Sequence, residues 1–565
     1  MSNRLDGGEA LLEAFRSLGI DYVISSPGSE WAPIWEAVAR QKIEGNAGPR
    51  YIDVWHETLA VDIAIGYTLY TGRMQAVLLH AGAGLLQGTC GIHGALLAEV
   101  PLLICSAEAI TYGERPSVDP GSQWYRNLSI VGGPHGLVGG IVKWANQVGS
   151  VEVLYEMAKR AGELAQRTPR GPVYLNVPVE VLLDAWPLPP SKLPVAAPAR
   201  RISPPDEIEK LVDLIAAAEN PVILTESAGR SAEAFHALVG FAEAFGIPVV
   251  ETQGTVCGNF PRSHRLYLGS RIEPFMATSD LVLLVACRAP WYPPSNKPPR
   301  ARTVVIDETP QRPHMVHQVL FADLYLEGEI ASTLRAAAER APAKIDEARR
   351  IERIDRHAAA HRKLVADIEA AELKAVGAEA VTPVALIKAL RDNLPAETIY
   401  VDETITHSRV VQQHLGLSEP QRYFYVQGGL GQGIGVAIGM KLAAPDKPVA
   451  LFLGDGTFLY NPVVQALGAA RDNNTPVLIV IFNNRKYLSM KFNHLRAYPD
   501  GVAVKHDMFH GVNLDTQPSL HRFGEPFDMH CAEVTKPSEL IPAIRAAAAS
   551  VANGKTAILN VMLTT

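Results

Sequence analysis

The chain has little of what marks membrane, secreted or nucleic-acid-binding proteins. None of its apolar runs approaches about 18 uninterrupted residues, so no membrane-spanning helix is expected. Its first segment, MSNRLDGGEALLEAF, has no apolar signal core and is typical of an amphipathic helix. The five cysteines are odd in number and far apart, which argues against disulfides and zinc and indicates a reducing compartment. A formal net charge of −7 gives no reason to expect nucleic acid as a partner. We therefore expect a cytoplasmic protein.

The composition is instead that of a large globular protein. Apolar residues make up 47% and charged residues 20% of the 565 positions, a length that predicts three or four domains. The proline-rich stretch 186–205, WPLPPSKLPVAAPARRISPP, has no hydrophobic periodicity and predicts a linker along the surface. A second stretch, from about 330 to 381, places Ala, Glu, Arg and Lys at helical spacing with charge on most faces. It predicts a solvated connecting helix.

These breaks leave three segments, 1–185, 206–335 and 382–565, in which short apolar strands alternate with helical patterns. The predicted strands are 21–25, 76–80, 101–107 and 172–178; 221–225, 248–252, 281–287 and 303–307; and 398–402, 449–455, 477–484 and 557–563. Strands alternating with helices predict the α/β fold class, with three doubly wound parallel-sheet domains.

The most informative pattern is Gly454-Asp455-Gly456, followed after a 26-residue spacer by Asn483-Asn484. An apolar strand precedes the first motif, and a second apolar strand ends in the two asparagines. A strand–helix–strand connection would bring Asp455 and Asn484 together at the carboxyl edge of the sheet, where open α/β sheets bind ligands. One carboxylate and one amide oxygen beside glycines suit a hard cation that carries a diphosphate. The alternative is an ordinary βαβ unit in which these residues only form turns.

This pattern resembles the signature of thiamine diphosphate (ThDP) enzymes. In that family the aspartate, the second asparagine and a backbone carbonyl two residues later hold Mg²⁺ against the diphosphate. The resemblance thus assigns the metal to Asp455, Asn484 and the carbonyl of Lys486. It also implies ThDP and Mg²⁺ as cofactors, and the ThDP-enzyme arrangement of domains. The segments would be a pyrimidine-binding domain (1–185), a central domain (206–335) and a diphosphate-binding domain (382–565). The working unit would be a homodimer or homotetramer with active sites between subunits.

Other segments extend the resemblance to the cofactor site. In WHETLAVDIAIGY, Glu57 matches the glutamate that contacts N1′ of the aminopyrimidine; the alternative is an ordinary first-turn helix glutamate. In QGGLGQGIG, Leu430 matches the bulky residue beneath the bent cofactor, with Gly428 and Gly429 letting the backbone approach. The resemblance further implies cofactor contacts in the loop 401–406 and around the GDG motif, by Glu403, Thr404, Thr406, Gly454, Gly456 and Thr457; the alternative for the loop is a plain capping turn.

Two N-terminal segments bear on the substrate. SSPGSEW (25–31) resembles the turn of benzoylformate decarboxylase whose serine binds the substrate carboxylate, and LHAGAG (79–84) resembles its segment with a proton-transferring histidine. Ser29 and His80 would take these roles; the alternatives are a common turn and a structural histidine. The stretch 286–299 departs from that enzyme, because it has no histidine and offers Trp291 and Tyr292 instead. The adjacent histidine pair of pyruvate decarboxylases is missing, as is a convincing FQE segment of acetolactate synthases.

The resemblance favours an enzyme that decarboxylates a 2-oxo acid without oxidation. The alternatives are an acetolactate synthase-type carboligase, or a ThDP-dependent C–C lyase or hydrolase acting next to a carbonyl. A non-catalytic ThDP-fold subunit is disfavoured because Glu57, Asp455 and Asn484 are all present. A dinucleotide-dependent oxidoreductase is disfavoured because no Gly-x-Gly-x-x-Gly follows a strand with an acidic residue at the required distance. Whether the central domain binds a nucleotide stays open.

Overall fold

The computed structural model describes residues 5–111, 114, 122–126, 128–187, 195–315, 318 and 321–564. The chain forms three parallel sheets, one in each predicted segment, with helices packed on both faces of each sheet. The predicted α/β class with three parallel-sheet domains is therefore confirmed. The domain bounds taken from the sequence stay predictions. Over the described residues, no helix combines the length and apolar character needed to cross a membrane.

The N-terminal sheet has six strands in the order β2-β1-β3-β4-β6-β5. Its strands are β1 (Tyr22–Ser25), β2 (Arg50–Asp53), β3 (Gln75–Leu78), β4 (Leu102–Ser106), β5 (Trp144–Gln147) and β6 (Val173–Asn176). Its helices are α1 (Gly7–Ser17), α2 (Ala32–Glu44), α3 (Glu57–Thr71), α4 (Ala83–Leu97), α5 (Gly133–Val138), α6 (Val151–Gln166) and α7 (Val179–Leu183).

The central sheet has five strands in the order β11-β10-β9-β7-β8. They are β7 (Pro221–Thr225), β8 (Val249–Glu251), β9 (Leu281–Val285), β10 (Arg302–Asp307) and β11 (Leu324–Glu327). The helices of this region are α8 (Pro205–Ala217), α9 (Ala232–Phe245), α10 (Glu273–Thr278) and α11 (Ile330–Ala338), followed by α12 (Ala341–Lys344) and the long α13 (Glu347–Val376).

The C-terminal sheet has six strands in the order β13-β12-β14-β15-β17-β16. They are β12 (Ile399–Glu403), β13 (Tyr423–Tyr425), β14 (Val449–Gly454), β15 (Leu478–Asn483), β16 (His530–Val534) and β17 (Ala557–Met562). The helices are α14 (Pro383–Asn393), α15 (Ser408–His414), α16 (Gly433–Ala443), α17 (Asp455–Tyr460), α18 (Val463–Asp472), α19 (Leu488–Ala497), α20 (Val502–Lys505) and α21 (Pro537–Ala552).

The N-terminal and C-terminal domains share one hydrophobic core, which continues from β14 through α16 and α3. The two helices touch at glycines. A Cβ at Gly66 would lie 2.0 Å from the carbonyl oxygen of Val436, and a Cβ at Gly439 would lie 2.0 Å from that of Ile63. Only glycine permits this approach of the two backbones, so the contact between α3 and α16 depends on it.

Each of the twelve predicted strands is present, with bounds within one or two residues. Five further strands, β2, β5, β11, β13 and β16, were not predicted, and each of them lies at an edge of its sheet. Edge strands bury less apolar surface than interior strands, so their hydrophobic signal is weaker.

The prediction of one solvated connecting helix over 330–381 is wrong in its first part. Helix α11 belongs to the central domain, where Ala331, Leu334 and Ala337 are buried in its core. Helix α13 is mostly exposed, as predicted for the rest, although Ile354 and Glu372 on it are buried. The helical periodicity was right, but alanine-rich sequence did not distinguish a packed helix from a solvated one.

The prediction of a surface linker over 186–205 is wrong at its first residue. Trp186 packs in the N-terminal core, 5.9 Å from the ring of Tyr155, and its N–H donates to the carbonyl of Leu5. Positions 188–194 lie outside the described residues, and 195–204 form neither helix nor strand and are mostly exposed.

The connection between the GDG and Asn-Asn motifs holds two helices, α17 and α18, where the pattern predicted one. Pro462 separates them because it has no N–H to continue the first helix. The side chain of Asn461 turns inward and accepts a hydrogen bond from the N–H of Ile434 at 3.2 Å.

Candidate cofactor and catalytic site

A cavity of about 640 Å³ opens at the carboxyl edge of the C-terminal sheet, where β12, β14 and β15 end. The C-terminal residues predicted for the cofactor and metal line it together, with a single exception. These are Thr404, Thr406, Gly428, Gly429, Leu430, Gly454, Asp455, Gly456, Thr457, Asn484 and Lys486. Segments far apart in the sequence therefore converge on one concave site.

The proposed metal ligands come from two neighbouring strands. Strands β14 and β15 pair in parallel with Gly454 opposite Phe482, which brings Asp455 and Asn484 to the same edge. The N–H of Lys486 donates to Oδ1 of Asn484 at 2.9 Å, so the turn after β15 folds back on itself.

Asp455 is 2% exposed, and its Oδ1 accepts a hydrogen bond from the N–H of Gly456 at 2.9 Å. Its Oδ2 is buried and accepts none from the described residues. Burial raises the pKa of Asp455 to about 6, against the opposing effect of nearby backbone amides, chiefly that of Gly456. A buried carboxylate oxygen left without a donor fits a cation ligand.

Nowhere in the described part of the chain, this cavity included, do three or more His, Cys, Asp or Glu side chains cluster as a metal site. A metal here would therefore depend on Asp455 together with amide and carbonyl oxygens. These are oxygen ligands, as Mg²⁺ prefers.

The loop that carries Leu430 has a backbone that favours glycine. Gly428, Gly429 and Gly431 have φ angles of 111°, 151° and 89°. A Cβ at Gly428 would also lie 2.2 Å from the Cα of Gly94. The glycines thus let the loop turn sharply and present the half-buried Leu430 to the cavity.

Glu403 is the exception among the predicted cofactor contacts, because it does not line the cavity. It is fully buried behind the glycine loop and accepts hydrogen bonds from the N–H groups of Gln432 at 2.9 Å and Gly433 at 3.0 Å. The side chain of Asn461 donates to it at 3.3 Å. Burial raises the pKa of Glu403 to about 7 although these donors act to lower it. Its carboxyl group therefore holds the first turn of α16 and the loop before it.

The predicted catalytic residues of the N-terminal domain form a separate group. Ser29 follows β1 and is exposed, His80 follows β3, and Glu57 begins α3. A Cβ at Gly84 would lie 2.7 Å from the Cβ of His80 and 3.1 Å from Oε1 of Glu57, so these two side chains flank the same turn. None of the three lines the cavity of its own chain.

Glu30 is a member of this group that the sequence did not reveal. Its side chain is buried, with 5% of the residue exposed. Its Oε1 lies 2.8 Å from Nδ1 of His80 and accepts a hydrogen bond from the backbone N–H of Ala81 at 2.8 Å. The hydrogen bond with Glu30 raises the pKa of His80 against the effect of burial, and Glu57 acts in the same direction. The only sequence signal was an acidic residue directly after the PGS turn.

The central domain contributes a cation to the cavity, Arg288, just after β9. The backbone N–H of Arg288 donates to Oε2 of the buried Glu226 at 2.7 Å. In its side chain, Nη1 donates to the carbonyl of Leu97 at 3.3 Å. No carboxylate among the described residues forms a salt bridge with its guanidinium. By contrast, Trp291 is buried and Tyr292 is 80% exposed, and neither lines the cavity. Sequence reasoning missed Arg288, although a charged residue directly after an apolar strand was a visible signal.

Comparison with known proteins identifies the class that this fold and site define. Residues 5–126 match the family described as thiamine pyrophosphate enzyme, N-terminal TPP binding domain. Residues 208–337 match its central domain, and residues 404–561 match its C-terminal TPP binding domain. The chain belongs to the thiamine pyrophosphate (ThDP) enzyme family.

Particular relatives span nearly the whole chain at low identity. The acetolactate synthase isozyme 3 large subunit of Escherichia coli K12 is 25% identical over 99% of this chain and 94% of that protein. The benzoylformate decarboxylase of Pseudomonas aeruginosa is also 25% identical, over 88% of this chain and 89% of that protein. In fold, the chain is similar to the ThDP-dependent 4-hydroxybenzoylformate decarboxylase of Rhodococcus jostii RHA1, with a TM-score of 0.79, 22% identity and 99% of both chains covered.

Proposed function

We propose that the protein is a ThDP- and Mg²⁺-dependent enzyme that releases CO₂ from a 2-oxo acid. The observation that carries this proposal is the cavity itself, which joins the residues expected to hold the cofactor with the guanidinium of Arg288. A guanidinium that forms no salt bridge with any carboxylate among the described residues is suited to bind the carboxylate of a substrate. Relatives named for acting on benzoylformate support a 2-oxo acid as that substrate.

The residues present fit both cofactors. Asp455, Asn484 and the carbonyl of Lys486 would hold Mg²⁺, and Thr406 and Thr457 would bind the diphosphate with hydroxyl and amide groups. Thr404 lines the cavity, but its hydroxyl and its backbone N–H both donate to Oδ1 of Asp402, at 2.7 and 2.8 Å. Leu430 and its glycine neighbours would support the pyrimidine. When bound, ThDP supplies a carbon nucleophile and accepts the electron pair released as the bond to the carboxylate breaks.

Two side chains of the N-terminal group, Glu57 and His80, would hold or transfer protons. Glu57 would hold a proton toward N1′ of the cofactor. Glu30 engages Nδ1 of His80, which leaves Nε2 as the nitrogen that can give a proton to the product carbon. Ser29 would hold the substrate from the same side.

We further propose a homodimer or homotetramer with active sites between subunits. Glu57, His80 and Ser29 do not line the cavity of their own chain, so another subunit would have to bring its N-terminal group to the cavity. The five cysteines are all free, which supports a reducing compartment such as the cytoplasm.

The first test is to incubate the protein with ThDP, Mg²⁺ and pyruvate, benzoylformate or branched 2-oxo acids. CO₂ release is followed and the products are identified by NMR. Equal amounts of aldehyde and CO₂ are expected. CO₂ together with a hydroxyketone or an acetohydroxy acid would make the protein a carboligase of the acetolactate synthase type. No reaction in the whole panel, with ThDP bound, would contradict a 2-oxo acid substrate.

The role of Arg288 is tested with Arg288→Met. Loss of a charged hydrogen bond to the substrate should raise KM for the best 2-oxo acid by roughly ten- to hundredfold while ThDP binding is unchanged. Arg471→Met, at the exposed end of α18, is the matched control. An unchanged KM in Arg288→Met would show that the substrate carboxylate is bound elsewhere.

A further inference from the structure

Asp62 is a carboxyl group enclosed between three helices. It lies five residues after Glu57 on α3 and is 1% exposed. A Cβ at Gly91 of α4 would lie 3.2 Å from its Oδ1, and a Cβ at Gly435 of α16 would lie 2.6 Å from its Cβ. With both neighbouring helices so close, the hydrogen-bonding needs of this carboxyl group must be met by the protein.

Its partner is Gln432, which directly precedes α16. Nε2 of Gln432 donates to Oδ1 of Asp62 at 2.9 Å. The two remaining oxygens, Oδ2 of Asp62 and Oε1 of Gln432, are both buried and have no hydrogen-bond partner among the described residues. If Asp62 were ionised, both oxygens would be acceptors without a donor, and each would cost roughly 1–3 kcal/mol.

Protonation of Asp62 would provide a hydrogen-bond partner for both of these oxygens. With a proton on Oδ2, Asp62 would supply a donor for Oε1 of Gln432 while Oδ1 continues to accept from Nε2, and the two side chains would form an acid–amide pair. The other titratable groups that face Asp62 are Glu403 on β12 and Cys90 on α4, and neither supplies a positive charge. Burial raises the pKa of Asp62 well above its usual value, with the hydrogen bond from Gln432 opposing and Glu403 adding to the rise.

We propose that Asp62 is a neutral carboxylic acid whose pairing with Gln432 positions the glycine loop of the cofactor site on the helix that carries Glu57. Gln432 joins the two parts, because its side chain binds Asp62 on α3 and its N–H donates to Glu403 beside the loop. Asp62 is thus a positioning residue. The inference concerns contacts within one chain, so it does not depend on which carbonyl substrate the enzyme uses.

The protonation state is tested by infrared spectroscopy of the cofactor-free protein at about pH 7. The difference between wild type and Asp62→Asn should show the carbonyl band of a protonated carboxyl group that is present only in the wild type. Other protonated carboxyl groups cancel in this difference. A difference spectrum that contains a carboxylate band instead would overturn the proposal.

The positioning role is tested by ThDP affinity measured calorimetrically in the presence of Mg²⁺. Asn supplies an acceptor and a donor in the places of those of the neutral acid, with one further N–H, so Asp62→Asn should stay within about twofold of the wild type. Asp62→Leu leaves the amide of Gln432 unpaired and should weaken binding about tenfold.

Asp472→Leu, at the exposed end of α18, controls for the change of side chain on a helix. If Asp62→Asn folds, by circular dichroism, and loses as much affinity as Asp62→Leu, a negative charge is required and the proposal is wrong. If Asp62→Leu does not fold, the infrared difference and the affinity of Asp62→Asn still decide.

Discussion

Replacing Glu403 by glutamine should change how the stability of the protein responds to pH. Glu403 is fully buried and accepts hydrogen bonds from Gln432, Gly433 and Asn461. Burial nevertheless raises its pKa from 4.5 to about 7, because desolvation of the carboxylate outweighs these donors. Glutamine has nearly the same shape and does not ionise.

The magnitude follows from the difference between the folded and unfolded pKa values. Because the folded pKa of Glu403 is the higher one, its stabilising contribution is complete below about pH 4.5 and is lost as the pH rises through about 7. The shift of about 2.5 units corresponds to about 3 kcal/mol. The cost of the altered hydrogen bonds in Glu403→Gln does not depend on pH. The free energy of unfolding of the wild type, relative to the variant, should therefore fall by about 3 kcal/mol from about pH 4.5 to 8.5.

The assay is urea unfolding of the cofactor-free protein, followed by circular dichroism at several pH values for both proteins under matched conditions. Glu372→Gln is a control for which the stability difference should change with pH in the opposite direction. Burial acts to raise the pKa of Glu372, but its hydrogen bonds with Arg391 and His414 lower it below the ordinary value. That contribution is lost as the pH falls. If the difference between wild type and Glu403→Gln is constant or grows with pH, Glu403 is ionised in the folded protein and the reasoning fails.

Three further predictions concern the proposed metal site, the proposed catalytic role of Glu57 and the contact between α3 and α16. Asp455→Ala should abolish Mg²⁺-dependent ThDP binding in calorimetry, whereas Asp472→Ala at the surface should not; tight binding by Asp455→Ala would move the metal elsewhere. Glu57→Gln should lower turnover by roughly 10²-fold or more with ThDP still bound. Mixing Glu57→Gln with Asp455→Ala subunits should restore about a quarter of the activity, since half of the random dimers hold one intact site; no recovery would contradict shared sites. Gly439→Ala should lower the free energy of unfolding, measured by urea denaturation, by about 2 kcal/mol or more. Gly240→Ala on α9, where the added Cβ would meet nothing within 4 Å, should cause no such loss.

Much of the fold was predictable from the sequence because interior parallel strands are apolar on both faces. Runs such as the one that forms β15 are bounded by turn residues and have no polar alternation. Strands β5 and β16 were missed because their sequences, WANQ and HCAEV, mix apolar with polar residues and form no continuous apolar run. As edge strands they pair on one side only, and their identity depends on the neighbour that the folded sheet supplies.

The position of the cavity was also predictable, because it too depends on the parallel order of the strands. The residues after β14 and β15 meet once these strands are parallel neighbours, so local order along the chain placed Asp455 beside Asn484. The direction of the neighbouring Glu403 side chain was not predictable. Glu403 and Thr404 are adjacent in the chain, yet the first lies behind the glycine loop and the second faces the cavity.

The sequence by itself determined the family, the three-domain α/β architecture and eleven of the residues that line the cavity, since these depend on hydrophobic periodicity and on glycine-rich turns at strand ends. Only the tertiary structure decided the partners of Glu30, Arg288 and Asp62. These depend on contacts between segments far apart in the chain, where burial and the loss of water set the charge and orientation of each side chain.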